Sequence, residues 1–293
     1  MTSFNSLKSF FRRVFSRAPG GEASDLSASR VGFEGQITEV ENRLLRHQIK
    51  LKWDLTHRIN SLHQTSPGLV CALCEHSAAR LDFPALETHC IFGGGPIKRY
   101  QCPECDVVFG SEVMLSLTPD QLADEYEWHY RVFEEGDSTE QEVRAFYALN
   151  PDKNKKYINW GSGAWSETNE KLRGEGWEIF GYEPHGSARR LGGTVLTSVE
   201  ELREVRPDGI FSNNVLEHLR HPIEELKGMA RLLPSGGKMS HATPCFEYRF
   251  EFTRFHLFFF LGRSKHLIAE RAGMQLVDFM VDGDFMNLVL SKK

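Results

Sequence analysis

Residues Tyr157–Pro184 read YINWGSGAWSETNEKLRGEGWEIFGYEP, and this stretch decides the fold. An apolar Tyr157-Ile158 run enters Asn159-Trp160-Gly161-Ser162-Gly163, a polar helical segment follows, and a second strand-like run, Trp177 to Tyr182, ends at Glu183. Strand, glycine turn, helix, strand and acid make the layout of a nucleotide-binding βαβ unit. Glycines let the backbone approach a ligand closely, and a helix N-terminus presents free N–H groups there. An acid closing the second strand is placed to hold ribose hydroxyls, so the stretch reads as a site for an adenosine-bearing cofactor.

Strands and helices alternate onward from this unit. Strand one is Lys155–Asn159, and its helix starts near Ser166 and stops at Gly174 or Gly176. Further strands are expected at Thr194–Thr197, Gly209–Asn213 and Lys238–Thr243. Ser198 and Glu201 form a capping box before the next helix, and Pro222 opens another. A helix from Ser264 stops at Gly273, and strands Met274–Val281 and Phe285–Leu290 flank an Asp282-Gly283 turn, a hairpin signal. The predicted sheet is mostly parallel with an antiparallel pair at its end.

Upstream, Cys71-Ala-Leu-Cys74 and Cys102-Pro-Glu-Cys105 are two knuckles separated by 27 residues. Four thiolates in this paired spacing suit one tetrahedral, structural Zn2+. A redox pair would need only one C-x-x-C. His89 and Cys90 read better as a loop histidine and a core thiol than as ligands. Thr118-Pro119-Asp120-Gln121 is a capping box opening a helix towards Tyr126 and Tyr130, and the acidic residues 134–142 read as a hinge. Between Gly35 and Gln64, apolar residues at Ile37, Val40, Leu44, Leu51, Leu55, Ile59 and Leu62 recur near a 3.6 period. One long helix is expected there, docked on its own domain through that stripe, with self-association into a homo-oligomer left open.

Residues 1–20 carry Lys8, Arg12, Arg13 and Arg17, no acid, and Phe4, Leu7, Phe11, Val14 and Phe15 on one helical face. They read equally as a helix lying on an anionic membrane surface or as a frayed tail. Gly20-Gly21 and the Ser/Ala-rich stretch to about Arg30 read as a flexible linker. The 293 residues are 40% hydrophobic and 26% charged, with a net charge of −5, which gives no pull towards nucleic acid. No apolar run approaches the ~20 residues of a spanning helix, and no secretory signal is visible. The expected location is cytoplasmic, with peripheral contact at the inner membrane face if residues 1–20 bind lipid.

The terminal hairpin favours one family. Residues 155–293 resemble the class I S-adenosylmethionine-dependent methyltransferases. Ile158-Asn159-Trp160-Gly161-Ser162-Gly163 is similar to their first motif, with Asn159 in the acid's place and Trp165 at the third glycine position. Glu183-Pro184 is similar to the ribose-binding acid. Val215-Leu216-Glu217-His218-Leu219 is similar to the signature after strand four, and Phe255-His256-Leu257-Phe258-Phe259 to a substrate-side segment. Residues 100–109, Thr118-Pro119 and Glu125-Tyr126 resemble the zinc-ribbon module that precedes many bacterial members acting on sugars.

The resemblance implies an α/β Rossmann-like sheet preceded by a ribbon and a long helix. The implied layout is a basic segment and linker at 1–34, the helix at 35–64, the ribbon at 66–117, a helical linker at 118–150 and the methyltransferase domain at 151–293. The implied cofactor, S-adenosyl-L-methionine, is held by Asn159, Gly161, Ser162, Gly163, Glu183, Pro184 and Asn214, and zinc by Cys71, Cys74, Cys102 and Cys105. The implied reaction is O-methylation of a sugar or glycan intermediate, lipid-linked if residues 1–20 lie on a membrane. C- or N-methylation and a non-catalytic adapter with a degenerate pocket are the alternatives. His218 and His256 are candidate bases; for each the rival role is structural, as a pocket-shaping or lid histidine. His241 is expected in packing.

Overall fold

A computed structural model describes residues 23–62, 66–133, 136–163, 165–184, 194–247 and 252–293. The basic segment expected at residues 1–20 lies outside them. The chain divides into two compact units, residues 1–47 and 48–293. The described part of the first is helical throughout and belongs to α1 (Ala23–Leu62). The helix therefore begins within the stretch expected as a linker. Its apolar stripe is not the docked face: Val40 and Leu44 are exposed, and so, in the second unit, are Leu51, Leu55, Ile59 and Leu62. Among the described side chains of this helix, Ile49 and Trp53 are the buried ones. Polar chemistry does the docking, because the Trp53 indole donates to the buried Glu125 carboxylate at 2.8 Å, which Lys52 also pairs.

In the second unit, β1 (Gly68–Val70) and β2 (Ser77–Ala79) pair antiparallel around the first knuckle. Strands β3 (Ala85–His89), β4 (Pro96–Gln101) and β5 (Val108–Gly110) form an antiparallel meander that carries the second. Helices α2 (Glu112–Ser116) and α3 (Pro119–Tyr130) follow. The latter has the full capping box, with the Thr118 side chain accepting from the Gln121 amide and the Gln121 side chain from the Thr118 amide. The expected hinge gives way from Thr139 to α4 (Thr139–Ala148), whose Ala145 and Phe146 are fully buried. Phe146 sits in one cluster with Leu149, Tyr157, Leu172, Ile179 and Phe211, so this helix is a layer of the main sheet and not a linker.

The main sheet is built from β6 (Lys156–Trp160), α5 (Glu167–Gly174), β7 (Glu178–Tyr182), β8 (Val195–Leu196), α6 (Val199–Val205), β9 (Gly209–Asn213), α7 (Pro222–Leu232) and β10 (Lys238–Ala242). After β11 (Phe258–Phe259) come α8 (Ser264–Arg271), β12 (Met274–Asp282) and β13 (Phe285–Lys292). Across the sheet the order is β12-β13-β10-β9-β6-β7-β8, with every pair parallel except β10–β13 and β12–β13. The chain reverses its direction of progress between β6 and β9, the switch point where ligands bind at the carboxyl ends of strands. The terminal hairpin read from Asp282-Gly283 is present.

Strand β11 does not join this sheet. It pairs with β5, extending the small sheet to β11-β5-β4-β3. The two-knuckle segment is therefore not a self-contained domain, because a strand from beyond β10 completes it. The guanidinium of Arg99, only 2% exposed, donates to the His256 carbonyl at 3.1 and 2.9 Å, the Thr253 carbonyl at 2.7 Å and the Thr88 hydroxyl at 3.0 Å. Arg99→Met is expected to lower stability by about 2–3 kcal/mol, since it strips charged donors from buried carbonyls. A urea unfolding midpoint equal to that of the wild type would show that the clamp is dispensable.

His241 is fully buried in β10, with its Nδ1 2.8 Å from the Ser212 hydroxyl. Burial lowers its pKa to about 3. The unfolded chain takes up that proton near pH 6.5 and the folded one only near 3, so this contribution is complete above 6.5 and is lost as pH falls towards 3. The urea midpoint should accordingly fall on acidification below pH 6.5, and less steeply in His241→Gln; equal slopes in the two proteins would contradict this.

Candidate active site

Four groups of expected site residues come to the same edge of the main sheet. Gly161-Ser162-Gly163 follows β6, Glu183-Pro184 follows β7, and Asn214 follows β9, each at the carboxyl end of a neighbouring parallel strand. His218 ends a 3-10 turn, Leu216–His218, four residues beyond Asn214. The glycines are needed here. Gly161 has φ +77°, and a Cβ on it would lie 2.7 Å from Val215 Cγ2. Gly181, in β7, lies so close to the turn that a Cβ would meet Ser162 Oγ at 2.4 Å. The Gly161 amide donates to the Tyr182 carbonyl at 2.9 Å, pulling the turn across β7. Ser166 caps α5, accepting from the Asn169 amide at 3.2 Å. The result is a backbone cradle that any side chain would fill, and it fits a cofactor held against main-chain atoms.

Two departures from the usual motif have structural answers. Asn159 is 1% exposed, and its Nδ2 donates to Glu142 Oε2 at 3.0 Å and Asn169 Oδ1 at 3.1 Å. It knits α4 and α5 to β6, so the structure gives its amide a packing partner and not an open face. Glu142 thereby brings a carboxylate beside the motif from outside the stretch where an acid was sought. Trp165 is 69% exposed. It turns to solvent and does not narrow the cradle.

Beside the sheet edge lies a cavity of about 200 Å³. Its wall combines Ile91 and Phe92 after β3, His129, Tyr130 and Phe133 at the end of α3, His218, and Phe252, Thr253, Phe255 and His256. The rings of His218 and His256 stand perpendicular, 4.7 Å apart, so both candidate bases are brought together. Their environments differ. His218 Nδ1 lies 3.0 Å from the Tyr126 hydroxyl, and the ring also bonds the Phe255 carbonyl. Burial, and then the nearby His256, lower its pKa well below the ordinary histidine value. Burial thus favours the neutral ring, with Nδ1 paired to the Tyr126 hydroxyl. His256 Nδ1 lies 3.3 Å from Cys245 Sγ. Glu217 is fully buried, with Oε1 accepting from the Thr243 hydroxyl at 2.6 Å, and its carbonyl accepts from the Leu257 amide.

Sequence reasoning missed His129 as a member of this wall, and Tyr126 and Cys245 as the partners of its two other histidines. His129 was read only as part of a helix, and Tyr126 as part of that helix and of the ribbon resemblance; their i, i+3 spacing, which puts both on one face, was the available signal. Nothing in the sequence near Cys245 distinguished it from a core thiol.

The four expected metal-ligating thiols converge elsewhere. Cys71 and Cys105 sulfurs are 3.8 Å apart and those of Cys74 and Cys102 3.5 Å, close to the ~3.8 Å edge of a tetrahedron with ~2.3 Å metal–sulfur bonds. The knuckles repeat one hydrogen-bond pattern. Cys71 N donates to the His76 carbonyl and Glu75 N to Cys71, as Cys102 N does to Val107 and Asp106 N to Cys102. Glu75 and Asp106 take matching left-handed conformations, φ 65° and 68°. Crowded sulfurs cannot all ionise alone: the Cys105 thiol's hydrogen bond lowers the pKa of Cys71 to about 5, while burial raises that of Cys74 to about 12. Such a set fits one tetrahedral cation. Exposed His89 and buried Cys90 stay outside it.

No curated protein matches the sequence. Among solved structures, the chain is similar to human N-acetylserotonin methyltransferase in complex with S-adenosylmethionine, at 12% identity and TM-score 0.41, over 59% of this chain and 55% of that one. It is similar to CalO1, a methyltransferase of calicheamicin biosynthesis in its S-adenosylhomocysteine-bound form, at 14% identity and TM-score 0.44, over 59% of each chain. A third is a putative S-adenosylmethionine-dependent methyltransferase from Listeria monocytogenes, at 12% identity and TM-score 0.38, over 53% of this chain and 99% of that one. The chain thus spans little more than half the length of the first two. The family model described as a methyltransferase domain matches residues 128–278, taking in α4, the glycine turn, both candidate histidines and most of the sheet, and the chain belongs to that family.

Proposed function

We propose that this protein is an S-adenosylmethionine-dependent O-methyltransferase whose acceptor occupies the histidine-lined cavity. One observation carries the reading: the cavity wall at His218 lies four residues along the chain from Asn214, at the sheet edge that also presents the glycine turn and Glu183. Bound there, the cofactor would supply an electrophilic methyl on a sulfonium; the chain's contribution is to align an acceptor oxygen with it and take the proton. Glu183 and Pro184 would hold the ribose, and the turn with Asn214 the rest of the cofactor. His218 Nδ1 is taken by the Tyr126 hydroxyl, and proton acceptance is assigned to His256, whose orientation Cys245 and the Arg99-clamped backbone support. His218 then keeps the pocket-shaping role. The acceptor class remains a sugar or glycan hydroxyl, which the two-knuckle segment suggested; lipid linkage and membrane contact through residues 1–20 belong to the same proposal. None of the described helices is long and apolar enough to cross a membrane.

Titration of the full chain with S-adenosylhomocysteine should give saturable binding, and Gly161→Val should weaken it at least tenfold by filling the cradle. Unchanged affinity in that variant would remove the cofactor from this turn. Labelled S-adenosylmethionine with a panel of nucleotide sugars and phenols should transfer methyl to oxygen, and His256→Gln should lower kcat by about 10²–10⁴ with little change in cofactor affinity.

We assign one structural Zn2+ to Cys71, Cys74, Cys102 and Cys105. Metal analysis should find one zinc per chain, lost in Cys102→Ser. Because the small sheet carries β11 and the His256 segment, chelation should also lower activity, although the metal touches no substrate. Full zinc content in the serine variant would refute the assignment.

A further inference from the structure

The apolar stripe of α1 that does not dock keeps a regularity of its own. In the second unit Ile49 and Trp53 are buried, while Leu51 and Leu55, two residues on from each, are exposed. Residues two apart on a helix lie about 200° apart around its axis, so Leu51 and Leu55 face away from the docked side. Ile59 and Leu62 are exposed as well, and so are Val40 and Leu44 in the first unit, with values from 48% at Leu44 to 84% at Leu62. Large apolar side chains exposed in a row mark an interaction surface.

The spacing of the stripe says what covers it. From Ile37 through Val40, Leu44, Gln48, Leu51, Leu55 and Ile59 to Leu62, the steps are 3, 4, 4, 3, 4, 4 and 3. Steps of 3, 4 and 4 make an 11-residue repeat of about 3.67 residues per turn, which runs nearly straight along a helix. A heptad would instead bring His47, Asp54 and Arg58 into the seam. The series also reads the same from either end. A second copy laid antiparallel therefore sets Ile37 against its Leu62, Val40 against its Ile59, Leu44 against its Leu55 and Gln48 against its Leu51. Two-fold symmetry makes each contact twice.

Charge selects this direction over the parallel one. Residues 34–45 hold three glutamates and one arginine, whereas residues 46–62 hold four lysines and arginines and one aspartate. Antiparallel pairing sets the acidic half against the basic half; a parallel pair stacks like on like. We infer that the protein forms a two-fold dimer in which α1 lies antiparallel on α1 of a second copy along this stripe. The two Gln48 side chains then come within one turn of each other at the axis. An amide both donates and accepts, so the pair fixes the register. This dimer depends on neither the cavity nor the cofactor.

Sedimentation equilibrium of the full chain should give twice the chain mass, with dissociation growing as salt rises. Leu44→Glu alone and Leu55→Lys alone should each raise the dimer dissociation constant about a hundredfold, because each buries two unpaired charges in the seam. Combined, they should restore it to within about tenfold of the wild type, since each new carboxylate then faces a new ammonium across the two-fold. That recovery also shows that neither substitution unfolds the chain. In a parallel dimer the double variant sets like charges together and recovers nothing. A wild type that stays monomeric at its highest soluble concentration would overturn the inference, as would a dimer that neither single substitution weakens or a double variant no tighter than the single ones. A monomer that sediments with anionic vesicles, and loses them in Leu44→Glu, would give the stripe to a membrane and overturn it too.

Discussion

The clamp made by Arg99 is the interaction on which the site depends. A guanidinium buried in β4 gives its donors to the carbonyls of Thr253 and His256 and to the Thr88 hydroxyl, while stacking 5.2 Å above the Phe259 ring. A desolvated cation persists only where its donors are met, so the clamp is stable only if the 253–259 segment lies where it does. Strand β11 reinforces it by pairing with β5, and the Gly110 amide adds a bond to the Leu257 carbonyl. The two-knuckle segment thus holds one wall of the cavity, although its own sulfurs lie apart from it. A segment that touches no substrate can matter to chemistry in this way.

A second buried charge works in the same manner on the other side. Glu125 in α3 is 1% exposed and takes the Trp53 indole and Lys52 from α1, while its main-chain carbonyl fixes His129. Trp53 in turn lies under the Arg254 guanidinium at 4.1 Å, which also reaches the Gly93 carbonyl. Helix, meander and substrate-side segment therefore meet through charged groups with specific partners. Apolar packing alone would tolerate sliding; hydrogen bonds to particular carbonyls do not. That rigidity suits a displacement in which alignment supplies most of the rate enhancement.

Much of the sheet was legible because its signals are local. The positions of Gly161 and Gly163, the Ser198–Glu201 box, Pro222 and the Asp282-Gly283 turn each constrain a few neighbouring residues, and strands β9 and β10 fell within one residue of expectation. The paired C-x-x-C knuckles were legible for the same reason. The stripe of α1 misled because period shows which residues share a face, not whether that face meets a partner. Leu51, half exposed, and Trp53, 6% exposed, are separated by one residue, and only the partner Glu125, far along the chain, decides which is buried. Residues 139–142 misled by their acidity, which masked the start of a helix whose Phe146 enters the core.

By itself, the sequence determined the order of the βαβ units, the glycine cradle, the terminal hairpin and the four-thiol set, because each is written in residues close together in the chain. Only the tertiary structure shows what the histidines meet. The Tyr126 hydroxyl beside His218 Nδ1 is invisible in the sequence, and so is the Glu125 carbonyl that fixes the tautomer of His129. Likewise Asn159 regained a neighbouring carboxylate from Glu142, and Trp165 turned to solvent. A ring nitrogen's role depends on what its partner donates or accepts, and those partners come from elements that only folding brings together. The glycine turn could be read from residues 157–184 alone; the cavity beside it is made by four separate stretches of chain.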